Sequence, residues 1–352
     1  MTELRIGSLC TGYGGLDMAV QQVLGGTTAW TSDIDPGAAQ IITHRMPGTP
    51  NLGDLTTTDW ASIEPVDVVT GGYPCQPFST AGQRKGTADA RHIWPHIANA
   101  LRVLRPRIAI FENVAGHLRL GFDTVLRDLA AIGFDAQWCL VRASEIGAPH
   151  QRNRLFILAT APDTPSIGRR EGRTEPARLE RRPGATGGRG AAAADTDSHA
   201  LRQQPVTQPR RSGTTVAELT RPRPAAHPPS LGQRNPRPTS KRGMASPSVA
   251  GSAPDRDWGR FGSAVQRWEA VTGRHAPGAV DDRGRLSPAF VEWLMGLEAG
   301  WVTDVPGLTR NQQLKALGNG VVPQQAEAAI RLLHQRADRS SGSTTTRTGD
   351  PT

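Results

Sequence analysis

Val68-Val69-Thr70-Gly71-Gly72-Tyr73-Pro74-Cys75-Gln76-Pro77-Phe78-Ser79 is the stretch on which the reading of this chain turns. An apolar run that ends in two glycines predicts a buried strand breaking off into a loop. A cysteine at the mouth of such a strand sits where open α/β sheets bind ligands. A second apolar run, Ile108-Ala109-Ile110-Phe111, ends in Glu112-Asn113-Val114, 37 residues beyond the cysteine. A thiol and a carboxyl at two strand ends can converge on one small substrate. Taken singly, each has a plainer reading: a small buried thiol and a solvated strand cap. Their order and flanks carry the weight.

Outward from that stretch, short apolar runs alternate with helix-like segments through the first 160 residues. Leu4–Cys10, Thr28–Ser32, Val66–Thr70, Ile108–Phe111, Phe134–Val141 and Leu155–Ala159 read as strands. Gly15–Leu24, Pro36–Arg45, Trp94–Leu104 and Phe122–Ile132 read as helices. This alternation predicts an α/β, doubly wound, mostly parallel sheet covered on both faces. Between Phe156 and Trp258 there is no Phe, Trp or Tyr, and Arg, Pro, Gly, Ser, Thr and Ala dominate. Such a segment buries too little apolar surface to offset its chain entropy, so residues 163–255 are expected to be largely disordered. Packed structure is expected to resume near Trp258, with Phe261, Val265 and Trp268 at helical spacing. Leu286-Ser287-Pro288 opens a helix through Met295, Val322–His334 forms a last helix, and a polar tail closes the chain.

The 352 residues carry a formal net charge of +9, which points to a polyanionic partner. Residues 163–256 hold 17 Lys+Arg against 8 Asp+Glu, so the whole formal excess lies in the middle segment. Three cysteines without paired spacing argue against a disulfide framework. No Cys/His cluster has the spacing of a metal site, and no apolar run has membrane-spanning length. The N-terminus lacks a signal-peptide pattern, so the expected setting is the cytoplasm.

Thr11-Gly12-Tyr13-Gly14-Gly15 follows a strand and precedes a helix, where glycines let the backbone approach a cofactor closely. Asp33-Ile34-Asp35 ends the next strand, where an acid commonly takes the ribose hydroxyls of an adenosine cofactor. This half of the pattern serves NAD as well as S-adenosylmethionine.

Ser8-Leu9-Cys10-Thr11-Gly12-Tyr13-Gly14-Gly15, the Pro74-Cys75-Gln76 loop, Glu112-Asn113-Val114, Arg152-Asn153-Arg154 and Gly318-Asn319-Gly320-Val321-Val322-Pro323 occur in that order. In this set the chain resembles the DNA (cytosine-5) methyltransferase family, over about residues 4–162 and 284–334. The resemblance implies a Rossmann-like sheet of the class I methyltransferase type, with a basic insertion in the target-recognition position. It implies S-adenosylmethionine as methyl donor, S-adenosylhomocysteine as product and no metal. Carried over residue by residue, it puts Cys10, Thr11, Gly12, Gly14, Gly15, Asp33, Ile34, Asp54, Leu55, Pro74 and Asn319 around the cofactor. Cys10 stands where the family usually has Phe, Ile34 where an aromatic is common, and Gly320 where Ser is frequent. These departures suggest an adenine pocket with less aromatic contact and weaker binding.

The same resemblance makes Cys75 the nucleophile that adds to C6 of a cytosine and Glu112 the acid at the N3 edge. Asn113 then fixes the loop that aims Glu112, and Arg152 and Arg154 are two cations on one strand face. The first arginine is implied to contact the cytosine and the second to steady the active-site loop. His150 replaces a common Gln. Gln76, Ser79, Arg84, Lys85 and Arg91 are implied DNA contacts on a loop that closes over duplex DNA once the cytosine is flipped out. A monomer is expected, in a bacterial or phage-infected cell, with a cognate restriction endonuclease as a partner. Methylation of transfer RNA, a non-catalytic relative that binds nucleic acid, and an NAD-dependent oxidoreductase are the competing readings. In domain terms, residues 1–162 are the catalytic and cofactor half and 163–255 the basic segment. Residues 256–285 make a small recognition or helical unit, 286–336 the returning motifs and 337–352 the tail.

Overall fold

A computed structural model describes residues 3–74, 93–162 and 257–342. Among them, six strands form one sheet: β1 (Arg5–Leu9), β2 (Thr27–Ser32), β3 (Val68–Gly71), β4 (Ile108–Val114), β5 (Asp135–Arg142) and β6 (Asn153–Thr160). Their order is β2-β1-β3-β4-β6-β5. β1 pairs in parallel with β2 and β3, and β3 with β4. β6 alone is reversed, antiparallel to both β4 and β5. The chain leaves β1 toward β2 on one side and returns to β3 on the other. The crevice between the carboxyl ends of β1 and β3 is therefore the switch point where such sheets take ligands.

The helices start and stop where local chemistry dictates. Asp35 caps α2 (Pro36–Arg45), its carboxylate accepting from the Gly37 and Ala38 amides at 2.9 and 3.1 Å, with Pro36 pre-set at the first helical position. α4 (Phe122–Ile132) runs between Gly121 and Gly133, both in left-handed backbone. Thr309 and Gln312 form a reciprocal cap at the start of α7 (Arg310–Asn319). α7 is absent from the sequence reading, because its polar sequence has no apolar stripe. α8 (Pro323–Gly342) runs past the expected end at His334 and takes in the start of the expected tail.

Side chains alternate faithfully across the sheet. Val69, Ala109, Phe111, Leu155 and Ile157 pack with Ile97 and Leu101 of α3 (Trp94–Leu104) and Val125 and Leu129 of α4. Val68, Ile108, Ile110, Phe156 and Leu158 face the other way, onto Leu16 and Val20 of α1 (Gly15–Leu24) and Ala329, Ile330 and Leu333 of α8. A third cluster joins Trp268 of α5 (Gly262–Thr272) and Trp293 of α6 (Pro288–Leu294) to Tyr13, Ile41, Leu317 and Val322. The helical stretch after Trp258 thus shares its core with the loop behind β1. The expected disorder of residues 163–255 lies outside the described residues. None of the described helices is long and apolar enough to cross a membrane.

Candidate active site

A cleft of about 570 Å³ opens at the switch point. The loop after β1 lines it with Cys10, Thr11 and Gly12, and the end of β2 adds Asp33 and Ile34. Gly53, Asp54 and Leu55 form the next side, and Gly72, Tyr73 and Pro74 follow from β3. Glu112, Asn113 and Arg154 stand at the inner end, and Lys315, Gly318, Asn319 and Val321 form the far wall. The turn after β1 needs unusual backbone: Gly12 and Gly14 have φ of 59° and 85°, and Cys10 has 51°. Burial and then the neighbouring Asp33 push the Cys10 thiol up to about 12, so it stays protonated.

Asp33 ties two edges of the cleft. Its Oδ2 accepts from the Gly12 amide at 2.8 Å and its Oδ1 from the Asp35 amide at 2.9 Å. Burial still raises its pKa. Ile34 beside it is 72% exposed, an apolar surface turned to open space. Leu55 is buried in the core beneath the cleft, whereas Asp54 caps its own turn through the Thr56 amide at 2.9 Å. Lys315, on α7, pairs with Asp35 across the mouth.

At the inner end the chain leaves β3 as Gly72-Tyr73-Pro74. Asn113 Nδ2 donates to the Tyr73 carbonyl at 3.1 Å, and the Tyr73 hydroxyl meets His117 Nε2 at 3.0 Å. The backbone that runs into Pro74 is therefore gripped at its carbonyl and its ring. Cys75 itself lies outside the described residues, as do Gln76, Ser79, Arg84, Lys85 and Arg91.

Glu112 is buried, and Arg154 Nε stands 2.8 Å from its Oε1. Burial pushes the carboxyl up to about 7, against the pull of Arg154 and Arg152. Two expectations are corrected here. Glu112 does not follow its strand but lies within β4, which continues to Val114 because its antiparallel ladder with β6 extends that far. Arg152 does not share a strand face with Arg154. It precedes β6 in left-handed backbone, with φ of 32°, and its Nη2 donates to the Gly318 and Gly320 carbonyls at 3.0 and 2.5 Å. Among the described residues, Arg154 is the one that pairs with the carboxylate. His150 has both ring nitrogens buried without hydrogen-bond partners among the described residues, and burial together with the two arginines drives its pKa down to about 4, so it is neutral.

Several contributors escape the sequence reading. Asp17 is buried and accepts from Ser8 Oγ at 2.8 Å and Thr70 Oγ1 at 2.5 Å, joining α1, β1 and β3 under the cleft floor. The acid two residues past the double glycine was its only sequence signal. His117 and Lys315 carried none, since their partners lie 44 and 280 residues away.

A family model described as C-5 cytosine-specific DNA methylase matches residues 4–335. The chain is 31% identical over 166 residues to the Type II methyltransferase M.HgiCII of Herpetosiphon aurantiacus, an alignment covering 45% of this chain and 37% of that protein. It is 31% identical over 160 residues to the Type II methyltransferase M.NlaX of Neisseria lactamica, covering 44% and 51%. The chain thus spans about half or less of the length of these curated relatives. The S. pombe Dnmt2 methyltransferase shares the fold, with a TM-score of 0.54 over 95% of this chain and 99% of that one at 16% identity. With the model match running through the glycine loop, the carboxyl end of β4 and the turn after α7, the chain belongs to the C-5 cytosine-specific DNA methylase family.

Proposed function

We propose that this chain transfers a methyl group from S-adenosylmethionine to C5 of cytosine in DNA, through an intermediate in which Cys75 is bonded to C6. One observation carries the reading. A buried carboxyl with its pKa near neutrality, Glu112, stands in the same cleft as a glycine loop and a strand-end aspartate.

The lining suits an adenosyl amino acid. Asp33 keeps lone pairs for vicinal ribose hydroxyls, Ile34 offers an apolar face to a purine, and Asp54 and Leu55 flank that side. The start of α1 has no side-chain cap, which suits a carboxylate. Thr11, Gly12, Gly14 and Gly15 shape that turn, with Cys10 and Pro74 at its margins and Asn319 opposite. When bound, the cofactor supplies an electrophilic methyl group.

The protein's own residues do the rest. The Cys75 thiolate adds to C6, and the new C–S bond sends electron density toward C5. Glu112, protonated, hydrogen-bonds N3 and stabilises the charge that builds there. The density at C5 would let it accept the methyl group, with S-adenosylhomocysteine as the leaving group; loss of the C5 proton and expulsion of the Cys75 thiolate would then restore the ring. Arg154 orients Glu112, and Asn113 anchors the backbone that leads to Cys75. The geometry favours exchanging the implied arginine roles, with Arg154 at the reacting ring and Arg152 clamping the turn at Gly318–Gly320. Gln76, Ser79, Arg84, Lys85 and Arg91 are proposed to meet the duplex around the flipped-out cytosine. The +9 excess between residues 163 and 256 suits sequence-independent attraction to phosphate. The Type II relatives support a place in restriction and modification.

Labelled S-adenosylmethionine incubated with the full chain and either duplex DNA or RNA tests this. Label is expected on duplex DNA and is expected to vanish with Cys75→Ser. Label in RNA alone overturns the DNA reading. Duplex carrying 5-fluorocytosine cannot release its C5 substituent and should trap a denaturation-resistant adduct. Its absence from an active preparation overturns the Cys75 route.

A further inference from the structure

Tyr13 sits in the middle of the glycine loop, yet it does not line the cleft. It is buried, and its hydroxyl donates to the Val321 carbonyl at 2.7 Å. Its own carbonyl accepts from Trp301 Nε1 at 3.0 Å. Two glycines make room for its ring. A Cβ at Gly320 would overlap Tyr13 Cε1 and Cζ, and one at Gly15 would come within 2.6 Å of Tyr13 Cε2 as well as striking the Val321 carbonyl.

Gly320 has φ of −72° and ψ of 176°, extended backbone open to any residue. Conformation therefore does not demand glycine there; the Tyr13 ring does. The segment that the ring supports, Asn319-Gly320-Val321, is the far wall of the cleft. Arg152 holds the same turn from the β6 side through the Gly318 and Gly320 carbonyls. Inward, Val321 Cγ2 lies 3.8 Å from where a Gly72 side chain would begin, and Glu112 Oε2 lies 3.7 Å from the same point. The position of Val321 is thus felt both at the cofactor wall and beside the acid.

We propose that Tyr13 is a positioning residue for the cofactor: its ring and hydroxyl set the far wall of the cleft, and Gly320 is the matching vacancy that lets it do so. The inference rests on the reading that the cleft takes S-adenosylmethionine. It predicts that residues 13 and 320 are coupled: a side chain at 320 is tolerated only when residue 13 is small.

Calorimetric titration of S-adenosylmethionine into the full chain, with steady-state kinetics on duplex DNA, tests the coupling. Tyr13→Phe removes only the hydroxyl. It should raise the cofactor Kd and KM about tenfold while kcat at saturating cofactor stays within about twofold. Gly320→Ser should weaken binding further, and adding Tyr13→Ala to it should restore part of the loss, a non-additive cycle. Unchanged cofactor affinity in Tyr13→Phe, even with a lowered melting temperature, overturns the proposal, because a merely structural tyrosine would behave that way. Unchanged affinity in Gly320→Ser, or additive effects in the double variant, overturns it too. If Gly320→Ser does not fold, Tyr13→Phe decides alone. Wild-type protein that binds no S-adenosylmethionine would instead remove the underlying reading of the cleft.

Discussion

Arg154 and Glu112 meet across the β4–β6 ladder at 2.8 Å, with 19% and 9% of their side chains exposed. Even with that cation in place, burial wins and the carboxyl sits at about 7. The pair is therefore better suited to holding a proton near neutral pH than to adding stability, since desolvation offsets much of the attraction in buried pairs.

The first prediction follows from that value. If protonated Glu112 serves the reaction, kcat/KM for DNA should decline as pH rises through about 7. Glu112→Gln should lower kcat by about 10²- to 10⁴-fold and lose that limb of the profile, because the amide does not titrate. A profile of kcat/KM for DNA from pH 5.5 to 9 checks it. Near-normal turnover in the Gln variant would remove the acid role.

Arg154→Ala should act on the same limb in a defined direction. Without the adjacent cation, ionising Glu112 becomes harder, so the apparent pKa should move upward. Activity should fall about 10²-fold as the carboxyl loses its orientation, with Arg154→Lys in between. A profile displaced downward would contradict the assigned pairing.

Asp17 gives a stability prediction. Burial raises its pKa from 3.8 to about 6, against the Thr70 and Ser8 hydroxyls. The folded state thus holds its proton more tightly than the unfolded chain does. The stabilising contribution is full below about 4 and is lost as pH rises through 6, by roughly 1–3 kcal/mol. Asp17→Asn should flatten the dependence of urea midpoints on pH across that window. An unchanged slope would show that Asp17 titrates normally.

Asn113→Ala removes the Nδ2 donor to the Tyr73 carbonyl and should lower stability by about 0.5–1.5 kcal/mol. Turnover should fall more than cofactor binding, because the loosened backbone leads to Cys75 and not to Asp33. Steady-state kinetics and calorimetry on one preparation separate turnover from cofactor binding, and chemical denaturation reads the stability loss.

Much of this molecule is legible from sequence where the physics is local. The run Ile108-Ala109-Ile110-Phe111 announced β4, and Pro36 announced the start of α2. Glu112 was misplaced by the same reasoning: a charged residue normally ends an apolar run, and only the ladder with β6 shows that the strand continues. Arg152 and Arg154 alternate in sequence, but alternation implies a shared face only if both lie in the strand, and the left-handed backbone at Arg152 breaks that condition. The Tyr13–Val321 contact joins residues 308 positions apart, so no local pattern could announce it. Gly320 was visible only as a departure from the family, without its cause.

The reversal of β6 has a mechanical consequence. Arg154 pairs with Val114 at the carboxyl end of β4, whereas Thr160 pairs with Ile108 at its opposite end. Eight residues of strand thus carry the chain roughly 26 Å from the catalytic edge to the rear of the sheet before Pro162. The 94 residues from 163 to 256 join the described structure at Pro162, at the rear of the sheet, and again at Asp257. Their contour, roughly 300 Å when fully extended, exceeds that detour about tenfold. Shortening this connection with its basic residues retained should therefore leave activity intact over a long range of lengths, and it should fall once the remaining chain cannot bring them round to the cleft side of the sheet.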